Sequence, residues 1–258
     1  MDFESFKEKV RTTFRIDLSA YKENQLKRRL DGLLARNKVA AGDYAKFYEL
    51  ITADEKARLN FLDTITINVS EFFRDKHLFL YLEEKVLPAL LEKKKTLKVW
   101  SAACSSGAEP YSLAIILDEL TPGRRHHIEA TDIDKNILRA AVEARYTADQ
   151  VRNVSPARLK KYFVQEGNQY VLSPHIRRMV TFKHHDLLLD PFGQGYDLIS
   201  CRNVTIYFTR EAQEKLNARL VKALAPGGVL FIGASEMIFG YQEIGLEKLH
   251  SCFYRKKG

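Results

Sequence analysis

Val99-Trp-Ser-Ala-Ala-Cys-Ser-Ser-Gly-Ala-Glu-Pro-Tyr-Ser-Leu-Ala-Ile-Ile-Leu-Asp118 reads as an apolar strand running into a small-residue turn and straight on into an apolar helix. A second strand then closes on Ala130-Thr-Asp132-Ile-Asp134. A tight turn that opens a helix, with an acidic residue ending the next strand, is how doubly wound sheets hold an adenosine. A dinucleotide fold places three glycines in that turn so that a pyrophosphate can approach the backbone. Here Cys104-Ser-Ser-Gly107 has a single one. Glu109 stands at the helix start, where a carboxylate repels phosphate and attracts an ammonium or a sulfonium. The turn suits a positively charged nucleoside without phosphates, and S-adenosylmethionine meets that description. Asp132 is placed to accept both ribose hydroxyls. Taken alone, Glu109 could serve only the helix dipole, and Asp132 could be an ordinary strand-end turn residue.

Outward from this stretch, strands are expected near 97–102, 127–131, 179–184, 196–200, 228–233 and 248–254, with helices near 109–120, 134–144 and 210–224. Thr209 caps the last helix and Ala225-Pro-Gly-Gly228 stops it. The alternation implies an α/β fold with a mostly parallel, doubly wound sheet. His185-Asp186-Leu187 and Cys201-Arg202-Asn203 close the third and fourth strands, where open α/β sheets bind ligands, and Asp186 could bond an adenine amine. Residues 147–178, with Asn153, Pro156, Gly167, Asn168 and Pro174 around the short strand Gln169–Leu172, read as a small inserted subdomain.

Residues 1–75 read as an all-α domain, 76–95 as a linker helix and 96–258 as the cofactor domain. Asp17-Leu-Ser19 can cap a helix whose Leu26, Leu30, Leu33 and Leu34 form an apolar stripe. Asp43 to Ile51 and Asp54 to Ile65 are two further helices. Lys22, Arg29 and Arg36 repeat every seven residues along another face, either as a solvated surface or as a docking surface for an acidic helix.

The chain has 258 residues and a formal net charge of +8, which favours an acidic partner. No apolar run approaches the roughly 18–20 residues that span a bilayer, and Met1-Asp-Phe-Glu-Ser-Phe has no signal-peptide character, so no membrane insertion is expected. Cys104, Cys201 and Cys252 are far apart and odd in number, which fits a reducing cytoplasm and neither a disulfide framework nor a zinc site. The His126-His127 and His184-His185 pairs point to opposite strand faces, and no metal is expected.

Together these motifs resemble the chemotaxis receptor methyltransferase family, CheR. The matching signatures are Asn68-Val-Ser70-Glu-Phe-Phe-Arg74-Asp, Trp100 to Tyr111, Ala130 to Asp134, Cys201-Arg-Asn-Val204 with Ile206-Tyr-Phe208, and Gly233-Ala-Ser-Glu236. They extend over nearly the whole chain. The resemblance implies an S-adenosylmethionine-dependent protein-glutamate O-methyltransferase acting on glutamate-rich cytoplasmic helices of chemoreceptors. It also implies a small antiparallel β subdomain at the insertion. By that similarity Asn68, Ser70 and Arg74 reach the cofactor, Glu109 binds its amino group and Asp132 its ribose. Asp186, Leu187, Arg202 and Asn203 line its adenine and methionine ends, and Arg74 and Tyr207 position the reacting groups. The resemblance makes Lys22, Arg29 and Arg36 docking residues. One departure is Ala108, where the family commonly has a glutamate; another is Asp186, where some members carry Asn. Phe163 to Tyr170 looks shorter than the loop of members that dock on a receptor tail, so a tail peptide is not expected to be required.

Three other readings compete, of which a small-molecule carboxylate methyltransferase shares the chemistry but would not need the basic helix. A nucleic-acid methyltransferase fits the basic charge, but Arg202-Asn-Val is not the Asn/Asp-Pro-Pro-aromatic ending of base-amine enzymes, and the basic residues lack interleaved aromatics. A non-catalytic cofactor-binding sensor would not need Arg74 and Tyr207. No nucleic acid is expected as partner.

Overall fold

The computed structural model describes residues 1–66 and 69–258. The chain forms two compact units, one of the N-terminal helices together with Ile206–Lys215, the other of Val69–Thr205 and Leu216–Gly258.

In the first unit, helices α1 (Phe3–Phe14), α2 (Glu23–Arg36), α3 (Tyr44–Ala53) and α4 (Glu55–Thr66) surround an apolar core. Asp2 and Asp43 start α1 and α3 by accepting the Ser5 and Lys46 amides, so orphan helix donors are satisfied by carboxylates. Leu26, Leu30, Leu33 and Leu34 are buried as one face of α2. Phe6, Phe47 and Phe61 meet beneath them with ring centroids 6.0–6.3 Å apart. Each such buried ring contributes about 1.5–3 kcal/mol. Asp17 does not cap α2: it accepts the Ser19 amide and closes a separate 3-10 turn over Leu18–Ala20. Lys22 then occupies the N-cap of α2 without a side-chain bond. The Asx turn at Asp17 satisfies itself two residues on, too early for α2.

The second unit begins with α5 (Lys76–Tyr81), a π-turn over Leu82–Val86, and α6 (Leu87–Leu91). The wide turn directly precedes Pro88, whose ring cannot sit against the carbonyl four residues back. There follow β1 (Lys98–Ala102), α7 (Ala108–Leu120), β2 (His127–Asp132), α8 (Lys135–Glu143), β3 (Arg145–Tyr146), α9 (Ala148–Val151), α10 (Pro156–Tyr162), β4 (Phe163–Glu166), β5 (Gln169–Leu172) and α11 (Pro174–Arg177). Next come β6 (Val180–His184), β7 (Tyr196–Cys201), α12 (Arg210–Ala223), β8 (Leu224–Ile232), β9 (Leu246–His250) and β10 (Phe253–Lys256).

The large sheet runs β6-β2-β1-β7-β8-β10-β9, and a separate three-stranded sheet runs β3-β5-β4. β6, β2, β1, β7 and β8 are parallel, while β10 is antiparallel to both neighbours. α7 is buried on every side from Pro110 to Leu117, as expected of a helix without a polar face. The fold is the expected α/β arrangement with a helical N-terminal domain and a small antiparallel β insertion.

Two further details differ from the sequence reading. The single strand near 248–254 is two strands, β9 and β10, joined through Ser251-Cys252. The segment Ala225-Pro-Gly-Gly228 lies inside β8 rather than before it, as a bulge between the Tyr196–Leu224 and Leu198–Val229 pairs. Any Cβ at Gly228 would come within 2.7 Å of the Tyr196 carbonyl, so only glycine lets the bulge close there. Among the described residues, no helix is long and apolar enough to cross a membrane.

Candidate active site

β1 is followed by β2 on one side and β7 on the other, so the strand order reverses direction between β1 and β7. Ligands of open α/β sheets bind beyond the carboxyl ends of strands at such a switch point. Four adjacent strands end there: β6 runs on to Asp186, β2 ends in Asp132, β1 enters the 103–107 turn, and β7 runs on to Arg202-Asn203.

The turn is tightly wound. Ala103, Ser105 and Gly107 all adopt left-handed backbone, with φ of 60°, 50° and 82°. A Cβ on Gly107 would press on Ala141, Phe182 and Tyr111 at 3.0–3.2 Å, so this glycine is required both by φ and by packing. Among the described non-glycine residues of positive φ, Phe73, Asp75, Ala103, Ser105 and Asn203 all fall on loops named in the site motifs. Strain gathered in this way marks positions held by their surroundings for a purpose.

Asp132 is buried, and its two oxygens accept the amides of Ser105 and Asp134 at 2.8 and 3.0 Å. Burial drives its pKa up from 3.8 to about 6 against the lowering effect of those amides. The Asp132 carbonyl accepts the His185 amide at 3.0 Å, which brings the Asp186 loop alongside. Asp186 accepts the Leu188 amide at 2.7 Å through one oxygen, and burial raises its pKa. Its Oδ2 is buried with no partner among the described residues, as is Ser105 Oγ. The loop itself is clamped from α12: Arg219 donates to the carbonyls of Leu187 and Leu188 at 2.7 and 3.0 Å and to that of Asp190.

Glu109 accepts the Ser101 hydroxyl at 2.7 Å and Arg202 Nη1 at 3.2 Å, one bond per oxygen. Each oxygen keeps a lone pair for a further donor. Arg202 has a side chain only 2% exposed and lies over the rings of Phe231 and Phe79 at 4.5 and 5.3 Å. Its Nη2 donates to Asp75 Oδ2 at 2.7 Å and to the Arg74 carbonyl at 2.9 Å. Arg74 is half-buried, and its own guanidinium makes a 3.2 Å bond to the Val69 carbonyl. Ser70 is half-buried. Asn68 lies outside the described residues.

Asn203 opens a loop held by one buried carboxylate. Glu236 accepts the amides of Gly233, Asn203, Val204 and Thr205 and the Thr205 hydroxyl, all at 2.7–3.0 Å. Glu236 lies within the Gly233-Ala-Ser-Glu236 signature, but no local pattern in the sequence assigns it a role. Asp75, Ser101 and Arg219 also carried none. Their partners lie 8 to 127 positions away, beyond any local pattern.

In the helical unit, Tyr207 sits on a 3-10 turn over Thr205–Tyr207, and its carbonyl accepts the Lys22 amide at 2.9 Å. The Arg29 guanidinium stacks over the Tyr207 ring at 4.5 Å. Lys22 and Arg36 are exposed.

These residues fit an S-adenosylmethionine cofactor. Buried oxygens of Asp186 and Ser105 without a partner among the described residues, the buried Asp132 carboxyl and the spare lone pairs on Glu109 are acceptors of the kind that an amine, hydroxyls and an ammonium require. The fold and the acidic residues gathered at the strand ends of its switch point define the class, an S-adenosylmethionine-dependent methyltransferase. Comparison with known proteins narrows it. The family model described as CheR methyltransferase, SAM binding domain, matches residues 68–252, and the CheR methyltransferase all-alpha domain matches residues 1–66. The chain is 40% identical over 256 residues to the chemotaxis protein methyltransferase of Listeria innocua, covering 99% of this chain and 97% of that one. It is 34% identical over 249 residues to chemotaxis protein methyltransferase 1 of Pseudomonas aeruginosa, covering 92% and 90%. With that of Borreliella burgdorferi it shares 34% over 261 residues, covering 96% and 91%. This chain belongs to the CheR methyltransferase family, as its motifs indicated.

Proposed function

We propose that this protein transfers the methyl group of S-adenosylmethionine to glutamate side-chain carboxylates of methyl-accepting chemotaxis receptors, in the cytoplasm and without a metal. The observation that carries this reading is the shared guanidinium of Arg202. It ties the backbone of Arg74, a cation suited to a carboxylate acceptor, to Glu109, an acid suited to the cofactor's ammonium. Three buried, unpaired cysteines agree with a reducing compartment.

A glutamate side chain, with its ordinary pKa of about 4.3, is already an anion at pH 7 and needs no general base. Bound S-adenosylmethionine supplies a sulfonium methyl, which a carboxylate oxygen takes as the sulfur–carbon bond breaks, with no proton moved and opposite charges annihilated. The protein's work is to align acceptor and methyl within about 3–3.5 Å and to exclude water. Arg74 holds the acceptor in a fixed fork and keeps it ionised as it is desolvated. Too strong a pair would stabilise the ground state above the transition state, so Arg74 acts chiefly by orientation. The Tyr207 phenol donates one further hydrogen bond. Glu109 takes the ammonium, Asp132 the ribose, Asp186 and Leu187 the adenine end, with Ser70, Arg202 and Asn203 completing the pocket.

Asp132 sets a pH dependence. The ionised carboxylate is the better acceptor for two hydroxyls, and its pKa of about 6 lies above the ordinary 3.8. Affinity for S-adenosylhomocysteine is therefore expected to be flat from pH 7 to 8. It then falls by up to about tenfold per unit as pH drops through 6, because the proton competes with the ribose. Calorimetry across pH 5 to 8 checks this, and Asp132→Asn is expected to weaken binding and flatten the profile.

Residues 1–75 dock the receptor, with Lys22, Arg29 and Arg36 facing its acidic helices, and the stacking of Arg29 on Tyr207 supports a link between docking and the reacting residue. The β4–β5 hairpin closes through Gly167-Asn168 alone, which favours a mode that needs no receptor tail; calorimetry with a tail peptide is expected to give no binding heat. Incubation with labelled cofactor and receptor-bearing membranes is expected to give base-labile methyl esters on receptor glutamates. Base-stable label, or none, overturns the reading. In the same assay, charge reversal at Lys22, Arg29 and Arg36 together is expected to lower kcat/KM about tenfold at low salt and to flatten its salt dependence.

A further inference from the structure

We propose that Asp75 is a positioning residue: through the buried guanidinium of Arg202 it locks the Arg74 loop to Glu109, so that cofactor pocket and acceptor cation are held as one piece. This rests on the methyltransferase reading above and adds to it a residue that carries no assigned role.

Three observations converge on it. Arg202 is almost wholly buried, and its two terminal nitrogens divide between partners. Nη1 serves Glu109, while Nη2 serves Asp75 and the Arg74 carbonyl. A buried guanidinium between two carboxylates holds its place only while both remain. Removing the charge at Asp75 leaves Glu109 as the remaining carboxylate on Arg202, with only the neutral Arg74 carbonyl opposing its pull.

The backbone on either side of Arg74 is also strained. Phe73 and Asp75 have φ of 51° and 62°, a region non-glycine residues adopt only when their surroundings impose it. The restraints can be named. The Phe73 amide donates to Ser112 Oγ at 3.0 Å, Arg158 lies over the Phe73 ring at 4.9 Å, and Arg202 holds the other side through Arg74 and Asp75.

Among the described residues the Arg74 side chain, by contrast, makes a single hydrogen bond, of 3.2 Å to the Val69 carbonyl, which an arriving carboxylate can replace. The loop is thus rigid at its backbone and adjustable at its guanidinium. Asp75 controls the first property without touching substrate or cofactor.

Asp75→Asn is the discriminating change, because asparagine tolerates left-handed backbone as well as aspartate does and loses only the charge. Its turnover number on receptor membranes is expected to fall about tenfold, with S-adenosylhomocysteine affinity within about twofold of wild type. In an Arg74→Ala background the same substitution is expected to change turnover by less than about twofold, since its effect runs through Arg74. Independently of activity, amide hydrogen exchange over residues 70–76 is expected to quicken at least about tenfold in Asp75→Asn. Unchanged exchange overturns the proposal, as does undiminished turnover or an equal loss with and without Arg74. Wild-type protein that forms no receptor ester overturns the functional reading instead, and the exchange measurement still decides the role of Asp75.

Discussion

Arg74→Ala is expected to lower turnover at saturating S-adenosylmethionine by about a hundredfold or more, with the dissociation constant of S-adenosylhomocysteine within about threefold of wild type. The reason lies in what the guanidinium does and does not hold. Its carbonyl, not its side chain, is the group bonded into the buried network with Arg202, and alanine keeps that carbonyl. Among the described residues, removing the side chain forfeits a single exposed bond to Val69, so the fold and the pocket carboxylates stay in place. On the proposed mechanism a free carboxylate acceptor, by contrast, loses the fork that orients it toward the methyl. Its desolvated anion then has no counter-charge from this residue, and its pKa rises toward protonation. Steady-state turnover, read beside calorimetric binding of S-adenosylhomocysteine, separates the two roles. Asp132→Ala is the contrasting case, weakening binding first. If both variants merely weakened cofactor binding to the same extent, the division between an acceptor-orienting arginine and a ribose-binding aspartate would be wrong.

The β1–α7 unit could be read because its signals are local. An apolar run, a turn with a single glycine, and a helix with no polar face leave few alternatives, and Gly107 is where a Cβ has no room. Asp132 and Asp186 were legible for the same reason, as acidic residues closing apolar strands. Arg202 was legible only as a polar ending. Nothing near it in the chain shows that its charge is shared by Glu109, 93 positions earlier, and Asp75, 127 positions earlier. Asp17 looked like the cap of α2, yet it closes its own turn, a choice between two local hydrogen bonds that composition does not settle. The pair β9 and β10 read as one strand because Ser251-Cys252 contains neither glycine nor proline. Local patterns thus reach the elements and the crevice, whereas the buried charges that rigidify the crevice depend on which loops the topology brings together.

Glu236 exposes that dependence most directly, and its removal is expected to have the largest effect on stability. Its carboxylate accepts five hydrogen bonds, two on Oε2 and three on Oε1, from a residue only 8% exposed. Glu236→Ala removes this shared acceptor from four amides and one hydroxyl, and a buried donor that loses its acceptor costs about 1–3 kcal/mol. Water entering the vacated space offsets part of this, so a net loss of about 3–5 kcal/mol is expected, which lowers the melting temperature by roughly 10 °C in a domain of this size. Glu236→Gln offers no rescue. Each oxygen accepts from two backbone amides, and Oε1 also from the Thr205 hydroxyl, so an amide must turn its own NH2 toward two N–H groups, replacing attraction with repulsion. Thermal unfolding followed by circular dichroism is expected to give a large drop for both variants, with Gln no better than Ala. A Gln variant as stable as wild type would mean that the Asn203–Thr205 loop does not depend on a charged acceptor. With the loop loosened, Arg202 one residue before it loses its anchor, and S-adenosylhomocysteine binding is expected to weaken alongside stability.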